Sequence, residues 1–190
     1  MNSERKLTKA MNEGQVYRRS HLFGASRSVD RDLKALVSKG EIKKVGPGLY
    51  LRPAKTRFGT APPSDRELVR SFLKTDDFLL TTFSHFNALG FGLTQVYNQT
   101  LVYNHKRRGK FQLGGRKFEF RIVPEYPKEL SKEYLVVDML NNLKRLPDNT
   151  ELVEQSLAQG IANFNLPNLR DSKDKYGSPF AKRKLEALNV

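Results

Sequence analysis

Apolar residues repeat with a helical period near the start of the chain. Their spacing of i, i+4, i+7 and i+8 predicts an amphipathic helix over residues 26–39 whose apolar stripe faces inward. Ser26 or Ser28 can cap the start of this helix by accepting a backbone N–H bond. Gly40 can end it, because glycine readily adopts the left-handed conformation. The apolar stripe consists of Val29, Leu33, Leu36 and Val37.

The sequence around this helix predicts a winged helix-turn-helix. Residues 18–22 predict a short helix and residues 23–25 a turn. Two short strands follow, joined by Gly46-Pro47-Gly48, in which two residues that tolerate positive φ flank one with φ fixed. A two-stranded wing after the second helix is the expected result. The remaining predicted parts are strands at 41–45 and 49–52, a first helix at 3–12 and a small strand at 15–17.

The predicted helix over residues 26–39 has a basic outer face. At about 100° per residue, Arg27, Arg31 and Lys34 lie opposite the apolar stripe. Such a face suits the major groove of DNA, and the wing can lie along adjacent phosphates. A merely solvated face and a protein-docking winged helix are the alternatives, but the helix, its cap, the glycine stop, the wing turn and the charge together favour DNA binding. The candidate DNA-binding residues are Arg18, Arg19, Ser26, Arg27, Ser28, Arg31, Lys34, Lys43, Lys44 and Arg52.

Composition favours a polyanion as the partner. The 190 residues carry a formal net charge of +14. Residues 1–58 hold 14 Lys and Arg against 5 acidic residues, whereas residues 59–190 hold 20 against 15. Nucleic acid is the simplest polyanion, with anionic lipid or a solubility role as alternatives. The chain has no long apolar segment, no leader-like apolar region and no cysteine, so we expect a cytoplasmic protein without membrane association.

The rest of the chain predicts a second, mixed α/β domain. Three prolines and a glycine in residues 53–63 predict an extended linker. We therefore expect an α+β protein with a winged-helix domain over residues 1–58 and a C-terminal domain with a small antiparallel sheet over residues 64–190. Ser64 and Glu67 have the spacing of a capping box. The predicted elements are helices at 64–74, 84–89, 132–146, 148–164 and 178–188, strands within 78–82 and 100–123, and a loop over 167–177, with helices 132–146 and 148–164 packed as a pair.

A second basic region interrupts the predicted sheet. Residues 106–121 contain seven cations and one acid, and Gly114-Gly115 predicts a hairpin turn within them. Interleaved aromatic residues could stack on the bases of single-stranded RNA. A surface for an acidic protein and an edge hairpin protected by charge are the other interpretations. The cations of this possible second basic face are Lys106, Arg107, Arg108, Lys110, Arg116 and Lys117, and the aromatic residues are Tyr103, Phe111, Phe118 and Phe120, of which the last two share a strand face and are expected to be buried together.

The sequence contains no recognisable enzymatic motif. It has no phosphate-binding glycine loop, no H-E-x-x-H zinc motif and no G-x-S-x-G elbow. Its three histidines, His21, His85 and His105, are far apart. We therefore expect neither catalysis nor a metal or cofactor, although folding can bring distant residues together. His85 has apolar neighbours and is expected to be packed or hydrogen-bonded.

Several short stretches resemble the N-terminal winged helix of AbiEi-type antitoxins and their short bacterial relatives. They are G-x-V-Y at 14–17, SVDRDLKALVSKGEIKKV at 28–45 and GLYLRP at 48–53. A looser similarity continues through ALGF at 88–91, LVY at 101–103 and GGRKFEF at 114–120. The resemblance as a whole covers about three quarters of the chain, and the last 40 residues show no match to rely on.

The resemblance implies an antitoxin of a type IV toxin–antitoxin system, of the abortive-infection kind used in phage defence. Its winged helix would bind double-stranded DNA at the promoter of its own operon and repress transcription. Its C-terminal domain would counter a nucleotidyltransferase-type toxin encoded beside it, without a stable complex. The DNA-reading residues that the resemblance implies are Ser26, Arg27, Ser28, Arg31 and Lys34 in the helix and Lys43, Lys44 and Arg52 in the wing.

Overall fold

The computed structural model describes residues 3–57 and 59–190 and shows a mixed α/β fold with antiparallel sheets. Short 3₁₀ helices cover Arg19–Leu22, Phe83–Leu89, Leu143–Arg145 and Ile161–Asn163. The other elements, in chain order, are α1 (Ser3–Lys9), β1 (Val16–Arg18), α2 (Val29–Ser38), β2 (Lys43–Gly46), β3 (Leu49–Leu51), β4 (Ala54–Thr56), β5 (Gly59–Ala61), α3 (Asp65–Leu73), β6 (Leu79–Thr81), β7 (Gln99–Asn104), β8 (Gly109–Leu113), β9 (Arg116–Ile122), α4 (Lys132–Asn142), α5 (Thr150–Gly160), α6 (Leu166–Tyr176) and α7 (Pro179–Glu186).

The chain divides into two compact units. Unit 1 consists of Met1–Asp77 and Gly109–Phe118, and unit 2 of Phe78–Arg108 and Glu119–Val190. The segment predicted to be a linker, α3 and the β8–β9 turn therefore all belong to unit 1. The division into a DNA-binding domain over residues 1–58 and a C-terminal domain over residues 64–190 stays a prediction. None of the helices in the described part of the chain is long and apolar enough to span a membrane.

The first sheet of unit 1 has the strand order β1-β3-β2. Tyr17 of β1 lies opposite Tyr50 of β3, and the pairing of β2 with β3 shifts register between Lys44 and Gly46. The β2–β3 hairpin turns at Gly48, whose φ of +66° explains the glycine predicted there. Beneath this sheet and α2 lies a buried apolar cluster of Leu7, Met11, Leu22, Val29, Leu33, Leu36 and Ile42.

The helix predicted over residues 26–39 is shorter in the structure. It begins at Val29, and the Ser28 hydroxyl makes no capping bond. Val37, predicted to face inward, is 36% exposed, because at about 100° per residue it lies about 80° from Val29, at the margin of the stripe. The predicted stripe is therefore correct for three of its four residues.

The extended linker predicted over residues 53–63 was wrong. Strands β4 and β5 form an antiparallel hairpin, with Ala54 opposite Ala61. Gly59 follows the turn with φ +111°, a conformation that other residues rarely adopt, so the glycine permits the chain to reverse there. Ser64 caps α3 as predicted, accepting the Glu67 N–H at 3.2 Å. The Glu67 carboxylate does not complete the capping box but accepts the Val16 N–H at 2.7 Å.

Unit 2 is built around α4. The apolar side chains of α4, of the 3₁₀ helix Phe83–Leu89 and of the later helices together form most of one buried core. Helix α4 packs most extensively against α6, so the prediction that helices 132–146 and 148–164 pack as a pair was wrong. The loop predicted over residues 167–177 was also wrong, because α6 occupies it. Asn165 caps α6 by accepting the Asn168 N–H at 3.1 Å.

A buried polar network connects α4 to β7 in unit 2. The Tyr103 hydroxyl donates to Asp138 Oδ1 at 2.8 Å, and the Asn142 amide donates to the same oxygen at 2.9 Å. Arg121 donates to Asn142 Oδ1 at 2.7 Å. Burial raises the pKa of Asp138 to about 6, although the Tyr103 hydrogen bond and the Arg121 charge oppose the rise. The other carboxylate oxygen, Oδ2, is buried without a hydrogen-bond partner.

Candidate nucleic-acid interface

The two units differ strongly in charge. Unit 1 holds 20 Lys and Arg against 9 acidic residues, a net charge of +11. Unit 2 holds 14 against 11, a net charge of +3. The segment Gly109–Phe118 contributes three cations and no acid to unit 1. Most of the charge that could attract a polyanion therefore belongs to one compact unit.

Five of the predicted DNA-binding cations are exposed on α2, just before it and on β2. Arg27 precedes α2, and Arg31 and Lys34 lie on its outer face. The Arg31 side chain is 79% exposed, with its Nε 3.7 Å from Asp32 Oδ1. Lys43 and Lys44 are exposed on β2. These five residues are called the α2–β2 cations below.

Two predicted DNA-binding arginines instead stabilise the ends of helices. Arg18 donates to the carbonyls of Ser71 and Phe72 at 2.7 and 3.0 Å, in the last turn of α3. Arg52 donates to the carbonyl of Thr8 at 2.8 Å, in the last turn of α1, and to that of Met11 at 2.7 Å, two residues after the helix ends. The last carbonyls of a helix have no partner within it and carry partial negative charge, so a guanidinium group satisfies both needs.

Arg19 is paired within the unit. Its Nε and Nη2 donate to the two carboxylate oxygens of Asp30 at 2.5 and 2.6 Å. This bond lowers the pKa of Asp30 below its ordinary value. The guanidinium carbon also lies 4.9 Å from the centre of the Phe23 ring. Because the Asp30 carboxylate compensates its charge, Arg19 has less charge to offer a phosphate than Arg31 has.

Ser26, predicted to face DNA, is buried beside Asp32. Its hydroxyl accepts the Ser28 N–H at 2.9 Å and donates to Asp32 Oδ2 at 2.6 Å. The Ser3 hydroxyl of α1 donates to the same oxygen. These hydrogen bonds, that of Ser26 first, hold the pKa of Asp32 below its ordinary value. The cluster ties the first turn of α2 to α1 and thereby fixes the orientation of the basic face.

The sequence contained a signal for the role of Asp32 that the motif reading missed. On a helical wheel this residue lies about 60° from Val29, on the side of the apolar stripe. A carboxylate at that position is expected to be buried, and a buried carboxylate needs hydrogen-bond donors. The two serines that supply them lie 29 and 6 residues away along the chain.

The possible second basic face is divided between the units. Lys110, Arg116 and Lys117 belong to unit 1, whereas Lys106, Arg107 and Arg108 belong to unit 2. Arg116 pairs with Asp65 at 2.6 Å and donates to the Pro63 carbonyl. In unit 2 the buried Asn104 shapes the turn that follows β7. Its Oδ1 accepts the N–H groups of Lys106 and Arg107 at 2.8 and 2.7 Å. The side chains of Lys106, Arg107, Arg108, Lys110 and Lys117 are all exposed.

The aromatic residues of the second basic region do not form a stacking surface. Phe118 and Phe120 are fully buried, as their shared strand face predicted, and Tyr103 is 3% exposed. The Phe111 ring packs against Phe72, with 4.8 Å between ring centres. The interpretation as a single-stranded RNA platform therefore loses its structural support.

The histidines do not gather into a site. His21 lies in unit 1, and His85 and His105 lie in unit 2. His85 Nδ1 is 3.3 Å from the Thr81 hydroxyl, which confirms the hydrogen-bonded histidine predicted there, and burial lowers its pKa. Among residues 3–57 and 59–190, no group of three His, Asp or Glu is arranged to hold a metal ion.

Comparison with known proteins does not assign a family. A scan against models of protein families finds no match, and a search of curated proteins finds none either. The class that the structure defines is a mixed α/β protein with one strongly basic unit. Any functional proposal must therefore start from the chemistry of that unit.

Proposed function

We propose that unit 1 binds double-stranded DNA as a winged helix-turn-helix. The α2–β2 cations carry this proposal, because they are exposed while the opposite face of α2 is buried. In this arrangement Arg27, Arg31 and Lys34 approach the major groove, and Lys43 and Lys44 contact phosphates. The inward-facing Arg18, Ser26 and Arg52 support the unit without touching DNA.

The order of elements in unit 1 supports the proposal. A first helix, a small strand, a short 3₁₀ helix, a second helix and a β-hairpin follow one another, and the sheet order is β1-β3-β2. In a helix-turn-helix protein the second helix of the motif reads the groove while the elements before it hold it in place. Here α2 takes the reading role, and the Ser26–Asp32 bond holds its first turn.

The motif resemblance to AbiEi-type antitoxins extends the proposal to a biological role. In that role the protein binds the promoter of its own operon and represses transcription. Unit 2 then provides the antitoxin function against a nucleotidyltransferase-type toxin encoded beside it. The modest charge of unit 2 agrees with a task other than DNA binding, since it carries +3 of the net +14.

A binding titration tests the DNA-binding proposal. The purified protein is titrated, by fluorescence anisotropy, against DNA from upstream of its own gene and against a scrambled duplex of equal length, across a salt series. A preference of roughly a thousandfold or more at physiological salt indicates operator recognition. The double variant Arg31→Ala, Lys34→Ala should lose this preference and keep its fold.

The matched control removes two exposed lysines of unit 2, with Lys128→Ala and Lys144→Ala. This variant has the same net charge as the α2 variant, so it separates a local contact from a general loss of charge. Equal weakening by both variants, or equal binding of both duplexes by the wild type, would contradict operator recognition by α2. For the antitoxin role, the neighbouring toxin gene is expressed with and without this protein, and unchanged growth arrest would contradict it.

A further inference from the structure

A groove of about 670 Å³ lies in unit 1 along β2. One wall is formed by β2 itself and by Pro47 of the turn after it. A second wall is formed by residues 60–63, and a third by Gln112 and the glycines of the β8–β9 turn. The Lys43 ammonium donates to the Thr60 hydroxyl at 3.3 Å, so the first two walls are close at that point. Of the residues proposed above to contact DNA, Lys43 and Lys44 line this groove, and the roles of its other two walls are not yet assigned.

The third wall is held firmly against β2. The Gly114 N–H donates to the Val45 carbonyl at 2.7 Å, so the turn occupies part of the free edge of β2. A Cβ atom at Gly46 would lie 2.7 Å from Cδ2 of Leu113, which is completely buried. The absence of a side chain at Gly46 therefore permits the close approach of the two elements.

Further contacts fix the β8–β9 hairpin within unit 1. The Phe111 ring packs on Phe72 of α3, and Arg116 pairs with Asp65 at the start of the same helix. A Cβ atom at Gly114 would lie 3.0 Å from Cδ1 of Leu68, also in α3. The hairpin tip is thus packed firmly into unit 1, and the groove that it borders is preorganised.

Two cations line the groove, and a third lies beside it on β8. Lys43 and Lys44 line it from β2. Along β8, Phe111 and Leu113 face the interior, and Lys110 and Gln112 alternate with them and are exposed. Because side chains two apart share a strand face, Lys110 lies on the same face as the lining residue Gln112. Among the described residues that line the groove there is no Asp or Glu.

We propose that this groove binds the sugar-phosphate backbone of the duplex that α2 reads. The inference rests on the proposed function, because Lys43 and Lys44 belong both to the groove and to the α2–β2 cations. Lys44 contacts a phosphate from within the groove and Lys110 contacts one from beside Gln112, and the Thr60 hydroxyl and Gln112 amide add neutral hydrogen bonds. The β8–β9 hairpin thereby serves as an additional DNA-binding element contributed by a distant part of the chain.

The chemistry of the groove favours a nucleic-acid backbone over an acidic peptide. Its lysines, Lys43 and Lys44, belong to the hairpin that the winged-helix arrangement directs toward phosphates. Contacts of this kind position a duplex and carry no base information. They should therefore strengthen binding to specific and nonspecific duplexes equally and steepen the salt dependence of both.

The test uses the full-length protein and four versions of it. They are the wild type, the groove variant Lys44→Ala with Lys110→Ala, the α2 variant Arg31→Ala with Lys34→Ala, and the control Lys128→Ala with Lys144→Ala. Each is titrated with operator DNA and with the scrambled duplex over a salt series. The groove variant should bind both duplexes roughly tenfold or more weakly at about 0.1 M salt, with a log–log salt slope lower by roughly 1.8 and the ratio between duplexes unchanged. Circular dichroism checks that all four are folded.

The outcomes separate this inference from the function on which it rests. If the α2 variant weakens binding and the groove variant matches the wild type, DNA binding stands and the groove inference is overturned. If the wild type binds neither duplex, the proposed function fails, and the groove inference fails with it. A labelled deca-glutamate peptide is titrated in parallel, and peptide binding that is lost only in the groove variant, with DNA binding unchanged, would assign the groove to an acidic protein instead.

Discussion

The backbone N–H of Gly114 donates to the carbonyl of Val45 at 2.7 Å, although these residues are far apart in sequence. This bond attaches the tip of the β8–β9 hairpin to the edge of β2. It explains why Gly109–Phe118 belongs to the basic unit. The hairpin therefore contributes to the stability of unit 1 as well as to the groove.

Replacing Gly46 with alanine should loosen this attachment. The new Cβ would lie 2.7 Å from Leu113 Cδ2, and Leu113 is completely buried, so one of the two must shift. We expect a loss of about 1–3 kcal/mol in the free energy of unfolding, as is usual for overpacking. Gly24→Ala is the matched control, because no atom lies within 4 Å of its Cβ position. Equal stability of the two variants in urea denaturation would contradict the packing argument.

Arg18 and Arg31 should separate stability from DNA binding. Arg18→Ala removes two hydrogen bonds to carbonyls of α3 and should lower the free energy of unfolding by about 1–3 kcal/mol. Arg31→Ala, at an exposed position, should change it by less than about 0.5 kcal/mol but weaken DNA binding. Denaturation and anisotropy titrations on both variants check this division. A reversed pattern would mean that the roles of the two arginines are exchanged.

Ser26→Ala should destabilise unit 1 relative to the wild type at neutral pH. At acidic pH the difference between the variant and the wild type should be smaller. The Ser26 hydrogen bond helps to lower the pKa of Asp32, so the ionised carboxylate stabilises the fold above its ordinary pKa of 3.8. That contribution is lost as the pH falls through the lowered pKa. Thermal melting at pH 7 and pH 3 should show a larger difference between variant and wild type at pH 7. A difference independent of pH would exclude the charge of Asp32 as the cause.

Asp138→Asn should remove a pH dependence of stability in unit 2. The pKa of Asp138 is about 6 in the fold, against an ordinary value of 3.8. Between these values the folded chain keeps a proton that the unfolded chain has released, so the free energy of unfolding falls as the pH rises through this window. The fall for this one group is about 3 kcal/mol.

Asparagine cannot titrate but keeps an oxygen that can accept the Tyr103 hydrogen bond. Urea denaturation of Asp138→Asn between pH 4 and pH 7 should therefore show a flatter profile than the wild type. Glu129→Gln, which removes an exposed carboxylate of unit 2, is the control and should leave the profile unchanged. If Asp138→Asn retained the full wild-type slope, burial of Asp138 would not be its source.

Local sequence signals predicted much of unit 1. The stripe of α2, the turn at Gly48, the Ser64 cap and the Gly114-Gly115 turn are set by residues within a few positions of one another. Such signals depend on helical and strand periods and on the conformational freedom of glycine. They could be found without knowing any distant contact.

The prediction of a loop over residues 167–177 was wrong because α6, which forms there, has a lysine on the side that faces the core. Lys173 is 9% exposed, and its ammonium donates to the Val190 carbonyl at 2.9 Å. A lysine normally marks a solvated position, so the apolar period of α6 is broken in the sequence. The Val190 carbonyl, 17 residues away along the chain, accepts this hydrogen bond and so stabilises the lysine inside.

The sequence by itself determined α2, the β2–β3 hairpin, the basic character of the chain and the placement of Arg31 and Lys34 opposite the apolar stripe of α2. Only the tertiary structure decided which cations face solvent and which end against carbonyls. Arg18 meets its acceptors 53 and 54 residues away, and Arg52 meets its acceptors 44 and 41 residues away. The tertiary structure also decided that the β8–β9 hairpin borders β2. Periodicity reports only on residues within one element, whereas these arrangements depend on contacts between elements distant in the chain.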